Sequence, residues 1–336
     1  MSVTEATVRA VVRREFPDRT VRAIRELPGG RKATYAVDLS SERVVVAVCE
    51  RSGDEERFAA EPAVMRTVRR ETDVPVPRVL AVDRSKRAVP NAYYVTRLVE
   101  GYDPRDRYRY LPRDVRAALV RAAGRHLGAV HRAVGFDACG RLRAAAGGPT
   151  VVDGAPWPAT LGALIDDWID RLEGGRFVDL AGTFRRARDA LVERLAGGTY
   201  RPALLHGDYR PANLLVRHGD VAAVVDWGAA LAGHAEYDFF KFEKNFLLAQ
   251  FRTAAARDAL RGAVYEGYRE TAGLDPRWRE RRTGYRIAYK LESMRSFHRW
   301  CGEYDEDPAV LADRLRAELD DLLARFGDDR SADLNS

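Results

Sequence analysis

The chain has 336 residues, 46% of them hydrophobic, and a formal net charge of +6 at pH 7. This length predicts two domains or one large bilobal enzyme, and the apolar content excludes a disordered or collagen-like chain. No apolar run reaches the roughly 18 residues that a membrane span needs, so we expect no membrane contact.

The first hundred residues predict a lobe built mainly of strands. Apolar residues at helical spacing, from Val8 to Phe16, predict an opening helix. β-rich runs separated by turn residues then predict an antiparallel meander. The predicted strands cover residues 21–27, 34–39, 43–49, 78–83 and 92–98, with a helix over residues 54–71 between the third and the fourth.

Helical patterns dominate after residue 101. The predicted helices cover residues 112–134, 161–172, 179–195, 254–271, 277–300 and 308–326, and one β-rich island over residues 203–225 interrupts them. We therefore expect an α+β, bilobal fold with a small antiparallel-sheet lobe over residues 1–100. A larger helical lobe follows over residues 101–327, and the polar tail over residues 328–336 is expected to fray.

The β-rich island carries the residues with chemical potential. Asp208 follows His206 and Gly207, Asn213 lies five residues further on, and Asp226 ends the second strand of a predicted hairpin. Mg²⁺ prefers oxygen ligands and uses one or two carboxylates together with phosphate oxygens. The remaining aspartate is then free to accept a hydroxyl proton. This spacing indicates phosphoryl transfer.

The pattern resembles the aminoglycoside phosphotransferase-like family of small-molecule kinases, which includes choline and homoserine kinase relatives. HGD-x₄-N and DWG stand where protein kinases carry HRD-x₄-N and DFG. Residues 27–37, 58–61 and 93–101 resemble the family's phosphate-covering hairpin, its helix with the ion-pair glutamate, and its hinge. The resemblance implies a protein-kinase-like fold and transfer of the γ-phosphoryl group of ATP or GTP, with Mg²⁺, to the hydroxyl of a small molecule.

The resemblance also implies roles for individual residues. Asp208 is expected to be the catalytic base, and Asn213 and Asp226 the metal ligands. His206 and Asp238 are expected to brace the loop rather than to react. The nucleotide is expected to bind at the hinge, residues 96–99. The expected nucleotide-binding residues are Gly29, Gly30, Lys32, Arg51, Glu61, Thr96 and Leu98.

One departure from the family is the position of its phosphate-binding cation. Ala47 stands where the third strand usually carries lysine or arginine. We favour Arg51 as the substitute, with Arg31 or Lys32 in the phosphate hairpin as alternatives. If nothing replaces this cation, the alternative is a catalytically weak or inactive pseudokinase. A protein kinase is disfavoured because no APE-type segment follows DWG.

The sequence does not specify the acceptor. Acidic residues at positions 166, 167, 170 and 303–307 would suit a polycationic aminoglycoside or a choline-like amine, but we favour solvated helix faces. Arginines intermixed with acids predict no nucleic-acid partner. The widely spaced Cys49, Cys139 and Cys301 predict neither disulfides nor zinc, and hence a cytoplasmic protein.

Overall fold

The computed structural model describes residues 3–28, 32–51, 53–87, 89–172, 175–248, 250–251, 253–303 and 306–333. The N-terminal part contains two helices and five strands, close to the predicted positions. They are α1 (Glu5–Glu15), β1 (Val21–Leu27), β2 (Lys32–Leu39), β3 (Arg43–Cys49), α2 (Glu55–Glu71), β4 (Val79–Asp83) and β5 (Tyr93–Arg97).

These five strands form one antiparallel sheet in the order β1-β2-β3-β5-β4. Side chains alternate between the two faces of a strand. Val44, Val46 and Val48 therefore pack with α1, whereas Ala47 and Cys49 join the core that contains α2. Lys32 pairs directly across from Cys49, so it lies on the face towards α2.

The C-terminal part is mainly helical, and its first half carries strands as well. Its elements are α3 (Arg113–Ala133), β6 (Cys139–Ala145), β7 (Gly148–Ala155), α4 (Trp157–Asp170), α5 (Ala181–Leu195), β8 (Pro202–Leu205), β9 (Leu214–Arg217), β10 (Asp220–Val224), β11 (Leu231–His234), α6 (Ala235–Glu243), α7 (Ala254–Arg269), α8 (Trp278–Arg295), α9 (Phe297–Trp300) and α10 (Pro308–Asp333). A π-helical turn, Lys244–Leu248, continues α6.

The prediction of a single β-rich island was wrong. Strands β6 and β7 form a hairpin, and β6 pairs with β11 in a four-stranded sheet of order β7-β6-β11-β8. The hairpin is rich in alanine, glycine and arginine, which have low strand propensity, and it is held by packing against α2. A Cβ at Gly148 would lie 2.8 Å from Oγ1 of Thr67 in α2.

Some helix ends also differ from the predicted ones. Helix α4 begins at Trp157 rather than at residue 161, and the predicted helix over residues 277–300 is divided after Arg295. Helix α10 continues to Asp333, beyond the predicted end at residue 326. No described helix is long and apolar enough to cross a bilayer.

Strand pairing brings the two predicted motifs together. Strand β11 runs antiparallel to β8, and Leu231 faces Leu205. The loop that follows Leu205 therefore lies beside the turn that precedes Leu231. The β9–β10 hairpin lies between the two in sequence, and Val225 N–H donates to the carbonyl oxygen of Asn213 at 3.0 Å. Residues 206–213 and 226–229 thus converge at one edge of the sheet.

Candidate active site

The loop that carries Asp208 is held in place by buried side chains. The carboxylate of Asp238 is fully buried and accepts the backbone N–H groups of His206 at 2.7 Å and Gly207 at 3.1 Å. Nδ1 of His206 accepts the N–H of Asp208 at 3.3 Å, so Nε2 carries the proton and donates to the Val225 carbonyl oxygen at 3.1 Å. Burial lowers the pKa of His206, which keeps this ring neutral. His206 and Asp238 therefore brace the loop, as predicted.

Gly207 fixes how closely the two motifs approach. Its φ of +77° is in the left-handed region. A Cβ at this position would lie 2.2 Å from the carbonyl oxygen of Ala229, which ends the DWG turn. Only glycine fits both the conformation and the contact.

The Asp208 side chain is oriented by two donors. Nδ2 of Asn213 donates to the Asp208 backbone oxygen at 2.8 Å and to Oδ2 at 3.2 Å, and Nε of Arg210 lies 3.1 Å from Oδ2. Within the described part of the chain, Oδ1 of Asp208 and Oδ1 of Asn213 have no hydrogen-bond partner. The Asp208 side chain is one-third exposed. Its free oxygen is thus accessible to a hydroxyl group from solvent.

Asp226 follows Val225, which is hydrogen-bonded to Asn213, and it has a left-handed conformation with φ 62° and ψ 62°. Such a conformation costs a non-glycine residue about 1–3 kcal/mol and is often found at functional sites. The side chain is half exposed, and Oδ1 lies 3.2 Å from Nζ of Lys32. Burial alone would raise the pKa of Asp226, but the charge and hydrogen bond of Lys32, together with the charges of His206 and Arg210, outweigh burial and lower the pKa.

Lys32 forms the ion pair with Glu61 that was expected of the missing cation. Its Nζ lies 2.5 and 2.6 Å from the two carboxylate oxygens of Glu61 in α2. Glu61 is only 3% exposed and Lys32 17%. Burial would lower the pKa of Lys32, but the Glu61 carboxylate raises it well above its usual value. Arg51, the substitute that the sequence favoured, has an exposed side chain that makes no hydrogen bond or ion pair with the described residues.

Helix α2 connects this ion pair to the DWG turn. Nε of Arg57, one turn before Glu61, donates to the Gly228 carbonyl oxygen at 2.7 Å. A Cβ at Gly228 would lie 3.4 Å from Oε2 of Glu61. The same helix contacts the β6–β7 hairpin along its length. Glu61 is therefore positioned by its ion pair with Lys32 in the N-terminal part and by the contacts of α2 with the C-terminal part.

The other residues expected to contact the nucleotide are Gly29, Gly30, Thr96 and Leu98. Gly29 and Gly30 lie outside the described residues. Thr96 is buried within β5, paired with Val45 and Val79. The N–H of Leu98 donates to the Arg43 carbonyl oxygen at 3.0 Å, so strand pairing already uses this amide.

Two further side chains, on α6 and its π-helical continuation, hold the Asp208 loop and were not predicted from the sequence. Nζ of Lys241 donates to the Gly207 carbonyl oxygen at 2.5 Å, and Nδ2 of Asn245 donates to that of Tyr209 at 2.9 Å. Together with Asp238, these residues are spaced three and four apart, so they share one helix face. That spacing was visible in the sequence.

The acidic residues considered for the acceptor are ion-paired or exposed on helix surfaces. Asp166 pairs with Arg188 at 2.6 Å and Asp167 with Arg171 at 2.8 Å. Asp170 is exposed. Within the second acidic run, residues 304 and 305 lie outside the described part. The described acids therefore fit solvated helix faces.

The donor set at this edge fits a small divalent cation. Asp226 offers a half-exposed carboxylate, and the buried Asn213 offers an amide oxygen that has no hydrogen-bond partner among the described residues. No group of three or more histidine, cysteine or acidic side chains that could hold a metal occurs among the described residues. A site with one carboxylate and one amide leaves most ligand positions to water and phosphate, which is how Mg²⁺ is usually held.

Comparisons with known proteins agree with this geometry. Residues 23–282 match the sequence profile described as the phosphotransferase enzyme family. Among solved structures, aminoglycoside phosphotransferase APH(4)-Ia in complex with AMP-PNP and hygromycin B is similar, at 17% identity and a TM-score of 0.65, covering 95% of this chain and 98% of that one. A proposed fructosamine-3-kinase from Thermobifida fusca has 22% identity and a TM-score of 0.61, covering 96% and 98%. No curated protein matched. The predicted α+β fold of this kinase-like type is confirmed.

Proposed function

This chain belongs to the phosphotransferase enzyme family, and from that premise we propose that it transfers the γ-phosphoryl group of ATP or GTP to the hydroxyl of a small molecule. The resemblance inferred from the motifs, and with it the expectation of a phosphotransferase, is confirmed. The nucleotide, the metal and the acceptor belong to the proposal.

The observation that carries the proposal is the contact of Lys32 with both Glu61 and Asp226. A lysine held by a buried glutamate provides a fixed positive charge for phosphate oxygens. Nζ of Lys32 also contacts Asp226, whose carboxylate we assign as a metal ligand. This arrangement argues against the pseudokinase alternative, whose only support was Ala47.

Asp208 is the proposed base. Asn213 and Arg210 hold its Oδ2, so Oδ1 can accept the proton of the acceptor hydroxyl as the phosphoryl group is transferred. The Arg210 guanidinium also balances the charge of Asp208. The neutral His206 keeps the loop in place without competing for the proton.

Mg²⁺ would be held by the Asp226 carboxylate and Oδ1 of Asn213, and it would supply charge neutralisation at the phosphate oxygens. Lys32 would bind the same phosphates from the opposite side. We further propose that the lobes divide near residue 100, with the nucleotide base at the hinge over residues 96–99. The free thiols of Cys49, Cys139 and Cys301 support a cytoplasmic location.

A turnover screen tests this function. Hydroxylated metabolites and antibiotics would be screened for stimulated release of the nucleoside diphosphate. ATP and GTP would be tested in parallel, each with Mg²⁺ or with EDTA. We expect stimulated release with at least one acceptor, and only with Mg²⁺. Failure to bind either nucleotide at millimolar concentrations would leave the pseudokinase alternative.

A further inference from the structure

The acceptor side of the site contains a lysine that the proposed mechanism does not use. Lys244 begins the π-helical turn that follows α6. Lys241, one turn earlier, bonds the carbonyl oxygen before Asp208, and Asn245 bonds the carbonyl oxygen after it. Lys244 lies between these two anchors in the chain, and the negative charge of Asp208 acts on its ammonium. Single π-helical turns occur frequently at functional sites.

Among the described residues, no acidic side chain forms an ion pair with the ammonium of Lys244. Its Nζ donates to Oγ of Ser293 at 2.8 Å, and no carboxylate of the described chain lies within ion-pair distance of it. The nearby carboxylate, Glu292, is bound by Lys241 at 2.7 Å. Lys290, also close by, pairs with Glu318. Lys244 therefore contributes an excess positive charge.

The side chain is only partly buried, so a ligand can reach it. Arg210, which pairs with Asp208 at 3.1 Å, adds a second cation on the Asp208 loop. By contrast, Asp166 and Asp167, two of the acids that would suit a cationic acceptor, are paired with arginines on helix surfaces. The charge around the acceptor position thus favours an anion over a polyamine.

We propose that Lys244 is a specificity-determining residue that binds an anionic substituent of the acceptor. The acceptor would be an alcohol that carries a carboxylate or phosphate group near the reacting hydroxyl. The anion would bind Lys244 while the hydroxyl meets Oδ1 of Asp208. This inference rests on the proposed phosphotransferase function, since it assigns the substrate class of the same site.

Four three-carbon alcohols with matched skeletons serve as probes: glycerol, glycerate, glycerol 3-phosphate and 3-amino-1,2-propanediol. Each is titrated calorimetrically into protein saturated with Mg²⁺ and AMP-PNP. A charge-assisted hydrogen bond predicts that the two anionic alcohols bind roughly ten- to a hundred-fold more tightly than the amine. The two anions also show whether carboxylate or phosphate is preferred.

Three variants assign the effect to Lys244. Lys244→Met keeps the aliphatic stem and should abolish the preference for anions, with AMP-PNP affinity unchanged. Lys244→Arg should retain it. Lys290→Met is the matched control, because Glu318 already neutralises Lys290, and it should behave as the wild type.

A pH series separates recognition from a structural role. Burial lowers the pKa of Lys244 to about 8, against the opposing charges of Glu292 and Asp208 and with Lys241 and Lys290 as like charges. Glycerate keeps its charge from pH 6 upwards, so its affinity should fall as the pH rises past about 8 in the wild type. In Lys244→Met this pH dependence should be absent.

Several results would overturn the proposal. These are tighter binding of the amine or of glycerol, an anion preference that persists in Lys244→Met, or no difference among the four alcohols. If the protein does not bind AMP-PNP with Mg²⁺, the proposed phosphotransferase function itself fails. The first step of the same titration therefore distinguishes the two failures.

Discussion

Removing the ammonium of Lys32 should weaken nucleotide binding and also lower the free energy of unfolding, and the two effects can be measured separately. Lys32→Met keeps the stem and deletes the charge that lies 2.5 Å from Glu61 and 3.2 Å from Asp226. A charge-assisted hydrogen bond to phosphate contributes about 1.5–3 kcal/mol, so the nucleotide dissociation constant should rise roughly ten- to a hundred-fold. Calorimetric titration of ATP with Mg²⁺ measures this directly.

The effect on stability comes from Glu61. This carboxylate is 3% exposed, and a buried ion pair that loses one partner costs about 3–5 kcal/mol. The lower end applies because Lys32 itself is 17% exposed. Because the pKa of Lys32 is raised above 10.5, the contribution of the pair is complete below that pH and is lost only as the pH rises through the raised value. The titration of Lys32 should therefore add no pH dependence to the wild-type free energy of unfolding between about pH 6 and pH 9.

Two further variants separate binding from folding. Lys32→Met with Glu61→Gln removes both charges, so stability should recover while nucleotide affinity stays low. Lys32→Met with Ala47→Lys returns the cation one strand away. Ala47 lies on the same face, and from strand spacing the two Cα atoms are roughly 8 Å apart, so affinity should recover in part. Unchanged affinity in Lys32→Met, or a larger loss in Arg51→Ala, would refute the assignment of Lys32.

Three other predictions follow from the site and from a partly buried histidine. Asp226→Ala should abolish the strengthening of nucleotide binding by Mg²⁺, and Asn213→Ala should reduce it less, as measured by calorimetry with and without the metal. Gly207→Ala should destabilise the protein by at least about 1–2 kcal/mol in denaturant unfolding, because of its φ of +77° and the clash with the carbonyl oxygen of Ala229. Burial lowers the pKa of His234 to about 3, so below pH 6.5 the unfolded state binds a proton that the folded state does not. Between pH 6.5 and about 3, this histidine should therefore reduce the free energy of unfolding by about 1.4 kcal/mol for each pH unit that the pH falls. His234→Gln should lessen that slope, as measured by denaturant unfolding over this pH range.

Elements whose own sequence pattern matches their burial were predictable. Strands β1–β5 alternate or carry apolar runs between turn residues, and helices α3, α5 and α7 carry an apolar face of period 3.6. The β6–β7 hairpin was not predictable in this way, because tertiary packing against α2 stabilises residues of low strand propensity. Helix α6 was missed because it is buried on all sides and lacks an amphipathic pattern.

The candidate site also has features that the sequence could predict and features that it could not. The spacing of Asp208, Asn213 and Asp226 is local, and it was sufficient to predict that they share one edge. The partner of Glu61 depends instead on the register of β2 against β3, which sets Lys32 across from Cys49. Sequence spacing could not choose between Lys32 and Arg51, since both lie within two residues of a strand end. Lys244 was overlooked because its environment comes from α8 and from the loop, both distant in sequence.

The comparison of Asp208→Asn with the wild type tests the central claim most directly. Nucleotide affinity and acceptor-stimulated turnover are measured on the same samples, with Mg²⁺ present. Asparagine keeps the shape of the side chain but cannot accept the proton. We predict that affinity stays within about twofold while turnover falls by roughly 10²–10⁴. Turnover near the wild-type rate in Asp208→Asn would contradict the account.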